Sequence, residues 1–202
     1  MDYKEANRLV YNNNAEEFEK RTKDYIRNYI LDDAELFIKS LQGKRILDLG
    51  SGPGRDSQFF KERGLNPVCL DFSPEMVRLC RERGLEAQVG DLENLPFEDF
   101  IFDGVWAYTS LLHMPKSKLN PVLGKIRNIL KQEGVFYLGM KEGDFEGWIE
   151  SDKYPGSKRF FALYSDKELR KTLTLNFDIM HTSRVPLGDA IFLNYLCRKN
   201  NP

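Results

Sequence analysis

Apolar and polar positions along this chain change period several times. Residues 2–22 carry apolar positions at helical spacing on both sides of a polar break at Asn12–Asn14, predicting a short helix and then another amphipathic turn or two. Residues 24–41 place Tyr25, Tyr29, Ile30, Leu36, Phe37 and Leu41 at broadly helical intervals and predict a further helix. Ile46, Leu47 and Leu49 then form a compact apolar run holding one acid, Asp48, and ending in Gly50, Gly52 and Gly54. Such a run reads as a buried parallel strand that empties into a tight turn and a helix. Strand and helix patterns alternate from there. Arg55–Glu62 is a helix stopped by Gly64, and Pro67–Asp71 a strand. Ser73 caps a helix with Pro74 at its first position that runs to Gly84, and Leu85–Val89 is a strand. Ile101–Ala107 is the next strand. Lys116–Lys131 is a helix with Leu119, Val122, Leu123, Ile126, Ile129 and Leu130 on its buried side, and Val135–Met140 a strand. Residues 142–165 are mostly polar and predict a long connection of the kind that forms lids or binding loops. A helix over Asp166–Leu175, capped by Ser165, and a hairpin of Phe177–Arg184 with Ala190–Arg198 close the chain.

This alternation predicts a doubly wound α/β fold, in which ligands gather at the carboxyl ends of the parallel strands. Gly50, Ser51 and Gly52 sit at such an end, and so do Asp71 and Asp91. Glycines there give the backbone positive φ and let a ligand approach without meeting a Cβ. Asp71 closes its strand 21 residues after Gly50, where an acid can accept both hydroxyls of a ribose. The dinucleotide pattern G-x-G-x-x-G fails, because its sixth position is Arg55 and Pro53 removes a backbone donor that phosphate oxygens would need. Asp48, two residues before the first glycine, suits a positive group instead. The turn therefore fits a nucleoside bearing an amino acid, whose ammonium Asp48 holds directly or through water.

With that D-x-G-x-G-x-G turn, the chain resembles the class I S-adenosylmethionine-dependent methyltransferases of small bacterial type. The resemblance implies a Rossmann-like, mostly parallel seven-stranded sheet with an antiparallel last strand, S-adenosyl-L-methionine as cofactor and S-adenosyl-L-homocysteine as product. It implies that Asp91 reaches the adenine amino group and that the Leu92 backbone meets the ring. Phe72 and Met76 would wall the adenine slot, or serve as plain core. Trp106 would lie where its strand empties onto the cofactor. Tyr11 and Arg21 match a tyrosine and an arginine placed near the methionine carboxylate, with a packing tyrosine and a solvated arginine as the other readings. His113, in a run similar to the family's "ASLLH-V-P", is the candidate general base for the acceptor; a histidine that caps the following helix or hydrogen-bonds the backbone is its alternative. Tyr108, Lys141 and Arg159 are candidates for the acceptor pocket, and an arginine there favours an acidic acceptor. The implied organisation is one domain: a helical cap over 1–42, a cofactor-binding core over 43–141, a lid or substrate segment over 142–165, and a closing helix and hairpin over 166–202.

Composition narrows the acceptor. Thirty basic and 31 acidic residues give a net charge near −1, with no global pull toward nucleic acid. Cys69, Cys80 and Cys197 lack metal spacing and read as free thiols in a reducing compartment, the cytoplasm. No apolar run reaches the roughly 18–20 residues of a membrane span. Metal-site, Walker and nucleophile-elbow motifs are absent, so no metal is expected. The leading expectation is methyl transfer to O, N or S of a small molecule. Two others stand beside it. One is a tRNA methyltransferase of the wobble-uridine type, whose segments resemble FDGVWAYTSLLHMP and RFFALY but carry a histidine pair where this chain has His113-Met114. The other is a non-catalytic cofactor-binding partner protein.

Overall fold

The computed structural model describes residues 2–150, 154 and 156–200. Five strands, β1 (Arg45–Leu49), β2 (Asn66–Asp71), β3 (Glu86–Val89), β4 (Phe102–Tyr108) and β5 (Leu130–Lys141), run parallel. The last strand in the chain, β9 (Ala190–Lys199), inserts antiparallel between β5 and β8 (Phe177–Leu187), giving a seven-stranded sheet of order β3-β2-β1-β4-β5-β9-β8. The chain order reverses between β1 and β4, so their carboxyl ends open a crevice above the sheet.

Both faces of the sheet are covered, which is why β4 is buried at all seven positions. On one face Ile46, Trp106 and Tyr137 pack with Phe37 of α4 (Leu31–Ser40) and Phe60 of α5 (Arg55–Glu62). On the other, Leu47, Val105 and Phe136 meet Leu123 and Ile126 of α7 (Lys116–Ile129) and Leu169 of α8 (Asp166–Leu173). Helix α6 (Pro74–Glu82) joins β2 to β3 and begins with the Ser73 hydroxyl accepting from Met76 N–H. Ser165 and Glu168 form a reciprocal capping box at the head of α8.

The N-terminal helices are α1 (Tyr3–Asn13) and α2 (Ala15–Thr22), divided at Asn14. The stretch expected as one helix over 24–41 is two, α3 (Tyr25–Tyr29) and α4, because the backbone leaves helical geometry at the buried Ile30. Strand β5 also begins earlier than expected. Leu130 pairs with Phe102 before an irregularity, at which Glu133 takes φ +61° and Gly134 follows, resets the register to Val135 opposite Gly104.

The largest departure lies in 142–165. Read as a loop, it folds instead into an antiparallel ribbon of β6 (Glu146–Glu150) and β7 (Lys158–Ala162). The register sets Trp148 against Phe160 on one face of the ribbon and leaves Ile149, Arg159 and Phe161 on the other. Asn7 of α1 anchors it, accepting from Phe160 N–H at 2.8 Å and donating to Phe160 O at 3.2 Å. Among the described residues, no helix is long and apolar enough to cross a membrane.

Candidate functional site

A cavity of about 480 Å³ opens above the carboxyl ends of β1, β2 and β4, roofed by α1, α2 and the ribbon. Its floor is the glycine turn. Gly50 has φ +74°, and a Cβ there would lie 2.3 Å from Ser110 Cβ, so side chains are excluded by both conformation and space. Gly50 and Ser51 N–H both donate to Leu70 O, which draws the turn against β2. Gly52 N–H donates to Asp71 Oδ2 at 2.9 Å and Ser73 N–H to Asp71 Oδ1 at 2.9 Å. Each Asp71 oxygen therefore has a fixed backbone partner and retains accepting capacity toward the cavity. Burial lifts the Asp71 carboxyl to about 6, against the opposing pull of the backbone N–H groups of Ser73, Gly52 and Phe72.

Asp48 lies deeper. Its Oδ2 accepts from Ser57 Oγ at 2.8 Å, and burial together with the nearby Asp56 carboxylate pushes its carboxyl well up. A buried acid on a cavity wall that is costly to ionise alone is favourable for a cationic group. Phe72, Met76, Asp91 and Leu92 line the same cavity. Asp91 is already engaged: Lys4 Nζ of α1 sits 2.8 Å from Oδ2, and Glu93 N–H donates to Oδ1 at 2.9 Å.

Tyr11, His113 and Arg159 form one half-buried chain at the other end. His113 Nδ1 is 3.0 Å from Phe160 O, and a carbonyl can only accept, so Nδ1 carries the proton. Nε2 is then the acceptor for Tyr11 O–H at 2.7 Å, while Tyr11 oxygen accepts from Arg159 Nη1 at 2.9 Å. Burial, with Arg159 adding to it, lowers the imidazole to about 3. This arrangement weighs against His113 as a free general base: its one lone pair accepts from Tyr11, and charging it is disfavoured. We expect His113 imidazole nitrogens to show no titration between pH 5 and 8 in long-range proton–nitrogen NMR spectra, with His113→Gln supplying the assignment. A midpoint near neutrality would restore the base.

Two further expectations are corrected. Trp106 does not line the cavity: it is fully buried, stacks on Tyr137 at 3.9 Å, and donates its indole N–H to Asp56 Oδ2 at 2.8 Å. Only the residues at and beyond the end of β4, Tyr108, Thr109 and Ser110, reach the opening. Arg21 lies outside too, paired with Glu17 at 3.2 Å and stacked on Tyr154. Phe18 and Thr22, one turn or less away on α2, face the cavity instead. Tyr108 and Lys141 do line it, with the Tyr108 hydroxyl 3.0 Å from Tyr25.

Sequence reasoning missed Lys4, Asn7 and Thr109. Asn7 falls on the apolar stripe of α1 between Ala6 and Val10, and a buried amide in such a stripe signals specific partners. Besides the ribbon it holds His113 O at 3.2 Å. Thr109 takes φ +58°, rare for a β-branched residue and a form of strain that clusters at functional sites.

Comparison with known proteins agrees with this architecture. A family model described as a methyltransferase domain matches residues 46–134. Sterol 24-C-methyltransferase of Schizosaccharomyces pombe is 33% identical over 124 residues, covering 57% of this chain and 30% of that protein. Malonyl-[acyl-carrier protein] O-methyltransferase of Pectobacterium atrosepticum is 30% identical over 125 residues, covering 58% of this chain and 49% of that protein. The matches thus span less than half the length of either relative. Among solved structures, a DhpI complex with S-adenosylhomocysteine superposes with TM-score 0.77 at 21% identity, covering 98% of this chain and 97% of that one. The 1,6-didemethyltoxoflavin-N1-methyltransferase of Burkholderia thailandensis gives 0.71 at 22% identity, with 96% and 88% covered. These likenesses at low identity show a shared fold. The chain thus carries a methyltransferase domain over residues 46–134, on a fold shared with the S-adenosylhomocysteine-bound DhpI structure.

Proposed function

We propose that the protein is an S-adenosylmethionine-dependent methyltransferase acting on an O, N or S atom of a small molecule, in the cytoplasm. One observation carries the reading. Two buried acids, Asp71 and Asp48, stand on either side of a glycine-rich turn in a single cavity. That arrangement suits one ligand with a sugar at one end and a cation at the other. When bound, the cofactor supplies an electrophilic methyl group on a sulfonium.

The chain's own residues then bind, orient and exclude water. Asp71 accepts the ribose hydroxyls, with Gly52 N–H holding its carboxylate in place. Asp48 receives the ammonium. Phe72 and Met76 flank the adenine, whose edge meets Asp91 and the Leu92 backbone. Gly50 and Ser51 give backbone contact. Tyr108, Lys141 and Arg159 frame the space left for the acceptor, and Tyr11 lies between the two ends. Positioning and a dry pocket account for most of what a protein contributes to a transfer of this kind. All three cysteines are buried and free, which supports a reducing compartment. The relatives named for a sterol and a malonyl-carrier substrate support a small-molecule acceptor.

Calorimetric titration with S-adenosylmethionine and with S-adenosylhomocysteine tests the proposal. Saturable one-to-one binding of both is the expected result, and binding of neither overturns it.

A further inference from the structure

We propose that the Arg159 end of the cavity is a carboxylate-binding site, so that the methyl acceptor is an organic acid held edge-on by this arginine. The inference rests on the cofactor and acceptor sharing the cavity as read above.

Arg159 lies among Tyr11, Tyr154 and Phe161, its guanidinium carbon 4.9 Å from the Phe161 ring centre and 5.6 Å from each tyrosine ring centre. No carboxylate stands within ion-pair distance of it among the described residues. Its nitrogens are not equivalent. Nη1 is spent on Tyr11, whereas Nε is buried without a partner, and Nη2 has none among the described residues. In a planar guanidinium, the Nε–H and the adjacent Nη2–H point the same way, at the spacing of two carboxylate oxygens. The unspent edge is therefore the one that meets a carboxylate with two parallel hydrogen bonds.

The surroundings agree. Leaving a guanidinium N–H buried and unpaired is costly, and a bound anion removes that cost. Two other cations on the cavity wall are already neutralised, Lys4 by Asp91 and Glu93, and Arg55 by Asp56. Lys141 resembles Arg159 in having no ion-pair partner among the described residues. The histidine in the network is neutral by its hydrogen bonding, so the positive charge at this end belongs to the arginine. Phe161, Leu163, Leu187 and Phe192 supply apolar walls. A small acid with an apolar body matches them.

Benzoate with benzamide, and pentanoate with pentanamide, form charged and neutral pairs of the same shape. Each would be titrated into the full chain with and without saturating S-adenosylhomocysteine, beside Arg159→Gln and Arg159→Lys. The expected result is that at least one acid binds tenfold or more tightly than its amide. The preference should fall to within twofold in Arg159→Gln and be partly kept in Arg159→Lys, which retains charge but loses the fork. S-adenosylhomocysteine affinity should stay within threefold in both variants. No acid-over-amide preference in the native protein overturns the proposal, as does its survival in Arg159→Gln. A tenfold loss of S-adenosylhomocysteine affinity in both variants overturns it too, assigning the arginine to the cofactor's own carboxylate. Native protein that binds acids but not S-adenosylhomocysteine would refute the methyltransferase reading while leaving the carboxylate site standing.

Discussion

Replacing Asp71 with alanine is expected to weaken S-adenosylhomocysteine binding by roughly a hundredfold. Two hydrogen bonds from ribose hydroxyls to a charged acceptor are worth about 3 kcal/mol together, and each 1.4 kcal/mol is tenfold. The substitution also orphans the N–H groups of Gly52 and Ser73, so some loss of melting temperature accompanies it. Asp71→Asn, which keeps an acceptor in place, separates the two effects. A pH dependence follows as well. With the carboxyl raised to about 6, affinity should decline below that pH by up to tenfold per unit as the acceptor takes a proton, and Asp71→Asn should flatten the profile. Stability responds in the opposite sense. The unfolded carboxyl has a pKa near 3.8, so the contribution of this group is fully present below about 4 and is lost as pH rises through about 6. Calorimetric affinity between pH 5 and 8 checks the first statement. Affinity unchanged in a folded Asp71→Ala protein would sink the assignment.

Trp106→Ala should be the most destabilising single change at the sheet, costing about 3–5 kcal/mol. The indole stacks on Tyr137 and meets Phe37 and Phe60 edge-on at ring-centre distances of 5.2 and 5.0 Å, all in the core. Its N–H also fixes Asp56, the second residue of α5, which is paired with Arg55. Trp106→Phe keeps much of the volume and loses the hydrogen bond, so about 1–3 kcal/mol is expected. Urea denaturation measures both. S-adenosylhomocysteine affinity of folded Trp106→Phe should remain within about threefold of native, which is the outcome that separates a core indole from one touching the nucleoside.

Local features were legible in the chain and long-range ones were not. The glycine turn, the Ser73 and Ser165 caps and Asp71 at a strand end depend on neighbours within a few positions, and each lies where its pattern placed it. Trp106 and Tyr108 share one face of β4, but Trp106 is two residues short of the strand's end and stays under the helices of that face, while Tyr108 at the end reaches the opening. The state of His113 depends on Tyr11, 102 positions away, and on Phe160, 47 away, and no spacing rule reports either. Arg21 and Thr22 are adjacent on α2, so a helical rotation of one residue decides which side chain faces the cavity. The 142–165 ribbon was hidden by charged residues on its strands and became visible only through its anchorage to α1.

That anchorage bears on how quickly a bound molecule can leave. Helix α1 buries only Ala6, Asn7 and Val10 and is tied down through discrete polar stitches: Lys4 to Asp91, Asn7 to the ribbon, and Asn12 to Ser73. A segment held in this way opens at far lower free energy than the sheet beneath it. Because the helix carries Tyr11 and roofs the cavity, its detachment both uncovers the floor and breaks the chain from Tyr11 to Arg159. Ligand residence time is then governed by the lifetime of a peripheral helix, a property that can drift under mutation without disturbing the floor that recognises the nucleoside.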